Sequence, residues 1–211
     1  MLSNSHKIIA TNIYENSFNS FGIKLDKNKL LWGSIAPDIL LRYRFIRHYQ
    51  KESLEYVVNK VISLVHLVIS TDFSSSKDCL KMAVFSRELG ILSHYLTDFV
   101  TMPHAKRWTF NTAMKAHIEY EKELDRFAKT HDFKRNVIFN NDLSTQENPE
   151  NLSQIIKSYI EDIIEEYSIS SGFEVDLEYA LDINTKISNF IFELAREYKK
   201  DFEFTLALQS I

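Results

Sequence analysis

Five of the chain's seven histidines fall into an ordered pattern with carboxylates, and three of them form a dense block. That block reads His94-Tyr-Leu-Thr-Asp98, then Pro103-His104, then His117-Ile-Glu-Tyr-Glu121. Residues four apart on a helix share a face, with Cβ atoms about 5–6 Å apart. His94 and Asp98 can therefore reach one cation side by side, at ligand distances of about 2.0–2.2 Å. His117 and Glu121 repeat the arrangement, and His104, on the connection between the two pairs, is placed to complete the second site. Imidazole with carboxylate suits Zn²⁺, while Mn²⁺ and Fe²⁺ remain compatible. A lone His-x-x-x-Glu is usually a surface ion pair. Two such pairs flanking a Pro-His turn read better as a metal centre. Cys79 is the only cysteine, so no internal disulfide and no cysteine-based zinc knuckle can form. Any metal must be held by histidines and carboxylates.

These residues need helices to position them, and the rest of the chain supplies the signals. Four glycines and three prolines are too few to turn a β-rich fold. Leu54, Val57, Val58, Val61, Leu64, Val65 and Val68 recur at helical spacing and predict a helix over 52–70. A second helix is expected over about 77–100, capped by Ser74 to Ser76, with Pro103 forcing a turn before His104. A third is expected over 111–130, with Met114, Ile118, Leu124 and Phe127 on its apolar side. The short connection makes these two antiparallel neighbours. Further helices are expected over 5–14, 151–170 and 174–207, with loops around 33–38 and over 131–150. The fold class is all-α: a compact multi-helix bundle forming a single domain over residues 1–211.

Charge and targeting signals narrow the function. The net charge is −4, with no basic stripe, so nucleic acid is not expected as a partner. The first residues, MLSNSHKIIATN, have no apolar run of a signal peptide, and no stretch approaches the ~20 apolar residues of a membrane span. A cytoplasmic location is expected, or a secreted one if a leader has been removed. Several residues read as structural. His66 should be a core residue or one held by a buried hydrogen bond, His131-Asp132 carries no phosphohydrolase motif, and 161–166 is a solvated helix face. The Tyr and Phe residues of 173–204 should be core, and Cys79 a quiet structural thiol.

The stretch from Leu89 to Ala105 resembles the central motif of the bacterial zinc-dependent phospholipase C family, His-Tyr-Leu-x-Asp followed by a Pro-His turn. His117-Ile-Glu-Tyr-Glu121 is similar to the family's His-x-x-Tyr-Glu. Upstream, Asn4-Ser5-His6 resembles the segment of its first ligand histidine, and Trp32-Gly-Ser-Ile-Ala-Pro-Asp38 the one carrying its active-site aspartate. His48 falls where the next ligand histidine is expected. The resemblance spans residues 4–121 in the family order.

That resemblance implies the compact helical fold of phospholipase C and of the related S1/P1-type nucleases, with two to three Zn²⁺ ions. His48, His94 and Asp98 would hold one ion. Asp98 would bridge to a second shared with His6, and His104, His117 and Glu121 would hold a third. Asp38 would be the general base, and Phe45, three residues before His48, a headgroup-contacting aromatic. The implied activity is zinc-dependent phosphodiester hydrolysis in lipid metabolism, releasing diacylglycerol and a phosphorylated headgroup. The expected substrate is a phospholipid or other small phosphodiester, with transient membrane-surface contact. Two departures stand out. The family's secreted members ligate zinc through a mature N-terminal Trp, for which Met1's amino group, water or a weaker site are the alternatives here. Ile39 stands where an aromatic neighbour of the aspartate belongs. The separate C-terminal lipid-binding domain of larger toxins is missing from the expected architecture. Two other readings keep the metal: an S1/P1-type nuclease or 3′-nucleotidase, and a metal-stabilised binding module without turnover.

Overall fold

The computed structural model describes residues 1–71, 78–108, 110–134, 143 and 152–209, without the side chains of 110–112 and 199–209. The chain order is α1 (Ser3–Phe21), α2 (Lys27–Gly33), α3 (Ala36–Ile39), a 3₁₀ turn (Leu41–Tyr43), α4 (Gln50–Ile69) and α5 (Cys79–Phe99). It continues with α6 (Met102–Ala105), α7 (Phe110–Ala128), α8 (Leu152–Tyr167) and α9 (Phe173–Gln209). Among the described residues there is no strand, and the fold is all-α as expected. No described helix is long and apolar enough to cross a membrane. The proposed cap at Ser74–Ser76 and most of the 131–150 segment lie outside the described residues.

α5 is the central element. Every residue from Leu89 to Phe99 is buried, and α1, α2, α4 and α9 pack around it. A helix enclosed on all sides should be apolar all round, which makes His94 and Asp98 conspicuous inside it. α4 presents the predicted stripe to this core, with Leu54, Val57, Val58, Val61, Leu64, Val65 and Val68 all buried. α1 runs past its expected end at Tyr14 to Phe21 and closes at Gly22, whose φ of 67° lets its N–H reach the Phe18 carbonyl at 2.9 Å.

Several sequence expectations need correction. The segment around 33–38 is not a loop: Gly33 ends α2, capped at its start by Asp26, and Asp38 sits in the single turn of α3. Pro103 opens the short helix α6 rather than only ending its predecessor, because an imino nitrogen costs nothing in a first turn. α7 is not the antiparallel partner of α5; it packs on α1, α6 and α9. Its inward face carries Leu124, Asp125 and Ala128, whereas Met114, Ile118 and Phe127 are exposed. The rotation turns His117 and Glu121 toward the site at the expense of the apolar stripe. His66 is exposed, since it lies on the solvent row of α4 with Asn59, Ser63 and Ser70. Cys79 is exposed too, so it has no packing role. Tyr179, Phe190 and Phe192 are core, as expected, but Tyr198 is exposed.

Candidate metal centre

The centre is built where α5 meets α2 without side chains between them. A Cβ on Gly33 would stand 2.1 Å from the Arg87 carbonyl oxygen, and one on Gly90 2.2 Å from that of Leu30. Only glycine permits this contact, and it brings the Ser34 carbonyl to 2.9 Å from His94 Nδ1. The Nδ1–H donates there, so Nε2 keeps its lone pair and faces inward. His117 is oriented in the same way, its Nδ1 lying 2.9 Å from the Trp108 carbonyl. That carbonyl is aimed by Arg107, a non-glycine residue with φ of 52° whose guanidinium binds Glu52 and lies over the Tyr49 ring.

Asp98, one turn beyond His94 and fully buried, is the hub. Its Oδ2 lies 2.8 Å from His48 Nδ1 and 3.3 Å from His94 Nε2. Its Oδ1 lies 3.5 Å from His6 Nε2, 3.7 Å from His104 Nε2 and 2.7 Å from the α-amino nitrogen of Met1. Glu121 Oε1 gathers His117 Nε2 at 2.9 Å, His104 Nε2 at 3.3 Å and the Met1 nitrogen at 3.1 Å. Asp38 Oδ1 reaches His94 at 3.5 Å and His48 at 3.7 Å. Three sets of potential ligand atoms each fall within 4.8 Å of one another: His6, His94 and Asp98; Asp38, His48 and His94; His104, His117 and Glu121. Two ligands on one tetrahedral ion at about 2.0–2.2 Å stand roughly 3.4 Å apart, close to these separations. The fold thus brings together all eight His, Asp and Glu residues singled out in the sequence. Phe45 is the exception, since its side chain points into solvent on the segment leading to His48.

Buried polar atoms test whether cations fit. Both ring nitrogens of His6, and Nδ1 of His104, are buried without a hydrogen-bond partner. Left so, each would cost about 1–3 kcal/mol; coordination through Nε2, the nitrogen facing Asp98, would satisfy one of the two on His6. Asp38, Asp98 and Glu121 converge as well, faced by one ammonium group, that of Met1. Donor types, orphaned nitrogens and excess negative charge all fit a cluster of divalent cations.

The electrostatics of the protein alone agree. Burial drives His94 down to about 3 and pushes His6 and His104 down too, which keeps their rings neutral, each with one lone pair free. Despite its burial, Asp98 is held well below the usual carboxylate range by His104, the Met1 ammonium and the other histidines. Glu121 is likewise lowered, its burial outweighed by hydrogen bonds from His104 and His117. Met1's ammonium rises to about 11 because Asp98 and Glu121 overcome the opposing effect of burial. Burial and nearby Asp98 raise Asp38 to about 6.

A pH dependence follows for the metal-free protein. His94, His6 and His104 stay neutral in the fold, whereas an unfolded histidine takes up a proton near pH 6.5. The unfolded chain therefore binds more protons as pH falls from about 6.5 toward 3, and stability is lost across that window. Lowered Asp98 and Glu121 add to the loss in acid, while Asp38 and Asp176, raised to about 6, partly oppose it between about pH 6 and 4. The melting temperature should fall steadily below about pH 6.5 in a pH series of thermal melts. A flat profile would mean that the three histidines are not held neutral.

Groups outside the motifs hold the cluster in register. Asp125 accepts from Ser5 N–H at 3.1 Å and Asn4 Nδ2 at 2.9 Å, tying the start of α1, with Met1 and His6, to α7. Asp176, at the start of α9, accepts from Met102 N–H, Tyr120 Oη and Tyr167 Oη at 3.1, 2.9 and 2.6 Å. It thereby fixes α6, which carries His104, against α7, which carries Glu121. Sequence reasoning found none of these. A glycine amid the apolar run of a predicted helix, as at Gly90, was the one signal that something had to approach closely.

An all-helical scaffold brings five histidines and three carboxylates together in three groups that could hold metal ions. The family description "Zinc dependent phospholipase C" matches residues 5–201, and the chain belongs to that family. Neither the curated proteins nor the solved structures contain a match.

Proposed function

We propose that residues 1–211 form one catalytic unit, a zinc-dependent phosphodiester hydrolase that cleaves the glycerol–phosphate bond of phospholipids. The observation carrying this reading is Asp98, whose two oxygens face two different histidine sets inside a zinc-dependent phospholipase C family member. His48, His94 and Asp98 would hold one zinc ion, and Asp98 and His6 a second. His104, His117 and Glu121 would hold the third, and the Met1 nitrogen beside both Asp98 and Glu121 could join them only after its ammonium gives up a proton. Zinc held there supplies positive charge to phosphate oxygens and acidifies a bound water.

The remaining steps belong to the chain itself. Asp38 reaches the centre from its open side and accepts the proton of the attacking water, a task suited to a carboxylate with a pKa near 6. The backbone carbonyls of Ser34 and Trp108 keep His94 and His117 from turning away. Phe45 meets the substrate at the rim rather than in a closed headgroup pocket.

The test is elemental analysis of the purified protein, with assays on phosphatidylcholine, bis(p-nitrophenyl) phosphate and single-stranded nucleic acid. We expect at least two zinc equivalents per chain and chelator-sensitive release of diacylglycerol. Cleavage of nucleic acid alone would select the S1/P1-type activity. Bound metal without turnover on any substrate would leave a metal-stabilised binding module.

A further inference from the structure

The segment joining Asp38 to His48 breaks the ordinary rule for apolar side chains. Ile39, Leu41 and Phe45 are 52, 78 and 91 % exposed, while Tyr43 between them is buried and anchors the segment to the core. The hydrogen bonds Tyr43 N–H to Leu40 O, Arg44 N–H to Leu41 O and Ile46 N–H to Tyr43 O, at 2.9–3.1 Å, give the segment a fixed shape. The stretch is also basic. Residues 39–51 contain Arg42, Arg44, Arg47 and Lys51 and no carboxylate, in a chain whose net charge is −4. Arg42 lies over the Tyr43 ring at 4.7 Å, and no acidic partner faces Arg44 or Arg47 among the described residues.

We propose that residues 39–47 form an arm that docks the protein on an anionic phospholipid bilayer. Ile39, Leu41 and Phe45 enter the interface while Arg42, Arg44 and Arg47 meet lipid phosphates. The inference rests on the phospholipid reading above. Exposed apolar side chains ringed by unpaired cations match a surface that is negative outside and apolar beneath. A nucleic acid offers the negative charge but no apolar layer to receive Leu41 and Ile39. Because Asp38 and His48 bracket the arm, docking would set the metal centre beside the headgroup layer. A lipid could then reach the site without first leaving the bilayer.

Vesicle sedimentation tests this, comparing pure phosphatidylcholine with phosphatidylcholine mixed with phosphatidylglycerol. The protein should partition onto the mixed vesicles more strongly, and added salt should weaken the binding. Arg44→Gln and Arg47→Gln should each lower the partition coefficient about fivefold. Phe45→Ala should lower it about tenfold or more. All three side chains are exposed, so unchanged melting temperatures would certify the fold of the variants. Equal binding to both vesicle types, or variants that bind like the parent, would overturn the proposal. So would displacement of the protein from vesicles by single-stranded nucleic acid at comparable concentration. The two readings fail separately: diacylglycerol release without vesicle binding would sink the arm alone. Vesicle binding that depends on Phe45 and Arg44, without lipid hydrolysis, would sink the phospholipase activity alone.

Discussion

Asp98→Asn is expected to remove metal from two sites at once and to reduce phosphodiester hydrolysis by several powers of ten. The substitution keeps the side-chain shape but replaces one oxygen by an NH₂ group and deletes the charge. Both oxygens are engaged in the native protein: Oδ2 toward His48 and His94, and Oδ1 toward His6, His104 and Met1. No orientation of an amide serves both sides, because its NH₂ cannot coordinate a cation. Met1's buried ammonium also loses one of its two close carboxylate partners, leaving only Glu121. Breaking a buried pair by removing one member costs about 3–5 kcal/mol. At roughly 2–4 °C per kcal/mol for a chain of this size, the melting temperature should drop on the order of 10 °C. His117→Ala supplies the comparison, since its ring serves only the Glu121 side. It should cost one equivalent of metal and a smaller part of the stability. Elemental analysis of the two variants would separate these outcomes, and an Asp98→Asn protein with its full metal content would end the bridging assignment.

How far the sequence disclosed this centre depended on the distance over which each contact is made. His94 with Asp98, and His117 with Glu121, could be read directly, because a helix fixes the geometry of residues four apart whatever surrounds it. His104 followed from its place between them. Nothing in the spacing of His6, Asp38 and His48 brings them to Asp98. Only family resemblance pointed there, because α1, α3 and the segment leading into α4 must all be brought against α5 before those residues meet. Met1's amino group was harder still. Its position depends on Asp125 gripping the first turn of α1 from a different helix. The rotation of α7 was misread because its apolar residues suggested one inward face while the polar residues His117 and Glu121 occupy another. An interior that holds cations inverts the usual rule about what a helix buries.

Asp38→Asn should separate proton transfer from metal binding. Asp38 belongs to the four-residue α3 at the open side of the centre, and it touches His48 and His94 at 3.7 and 3.5 Å, less closely than Asp98 touches either. An asparagine there retains one acceptor oxygen and the same shape but cannot take up a proton. A general base contributes about 10²–10⁴-fold, so hydrolysis should fall on that scale while zinc content and melting temperature stay near those of the parent. The pH profile gives a second, independent readout. With Asp38 raised to about 6 by burial and by Asp98, the parent's activity should decline on the acid side as this carboxylate protonates. Bound zinc would shift that limb to lower pH, because added positive charge favours the carboxylate. In the asparagine variant the residual activity should lose the limb. His94→Ala should behave differently, with metal, stability and activity lost together, since the ring is fully buried and supported by Ser34. Loss of a full zinc equivalent in Asp38→Asn would make Asp38 a ligand, consistent with its place among the atoms that converge with His48 and His94. Hydrolysis at the parental rate would remove it from the chemistry altogether and leave the proton to be accepted by another group in the centre.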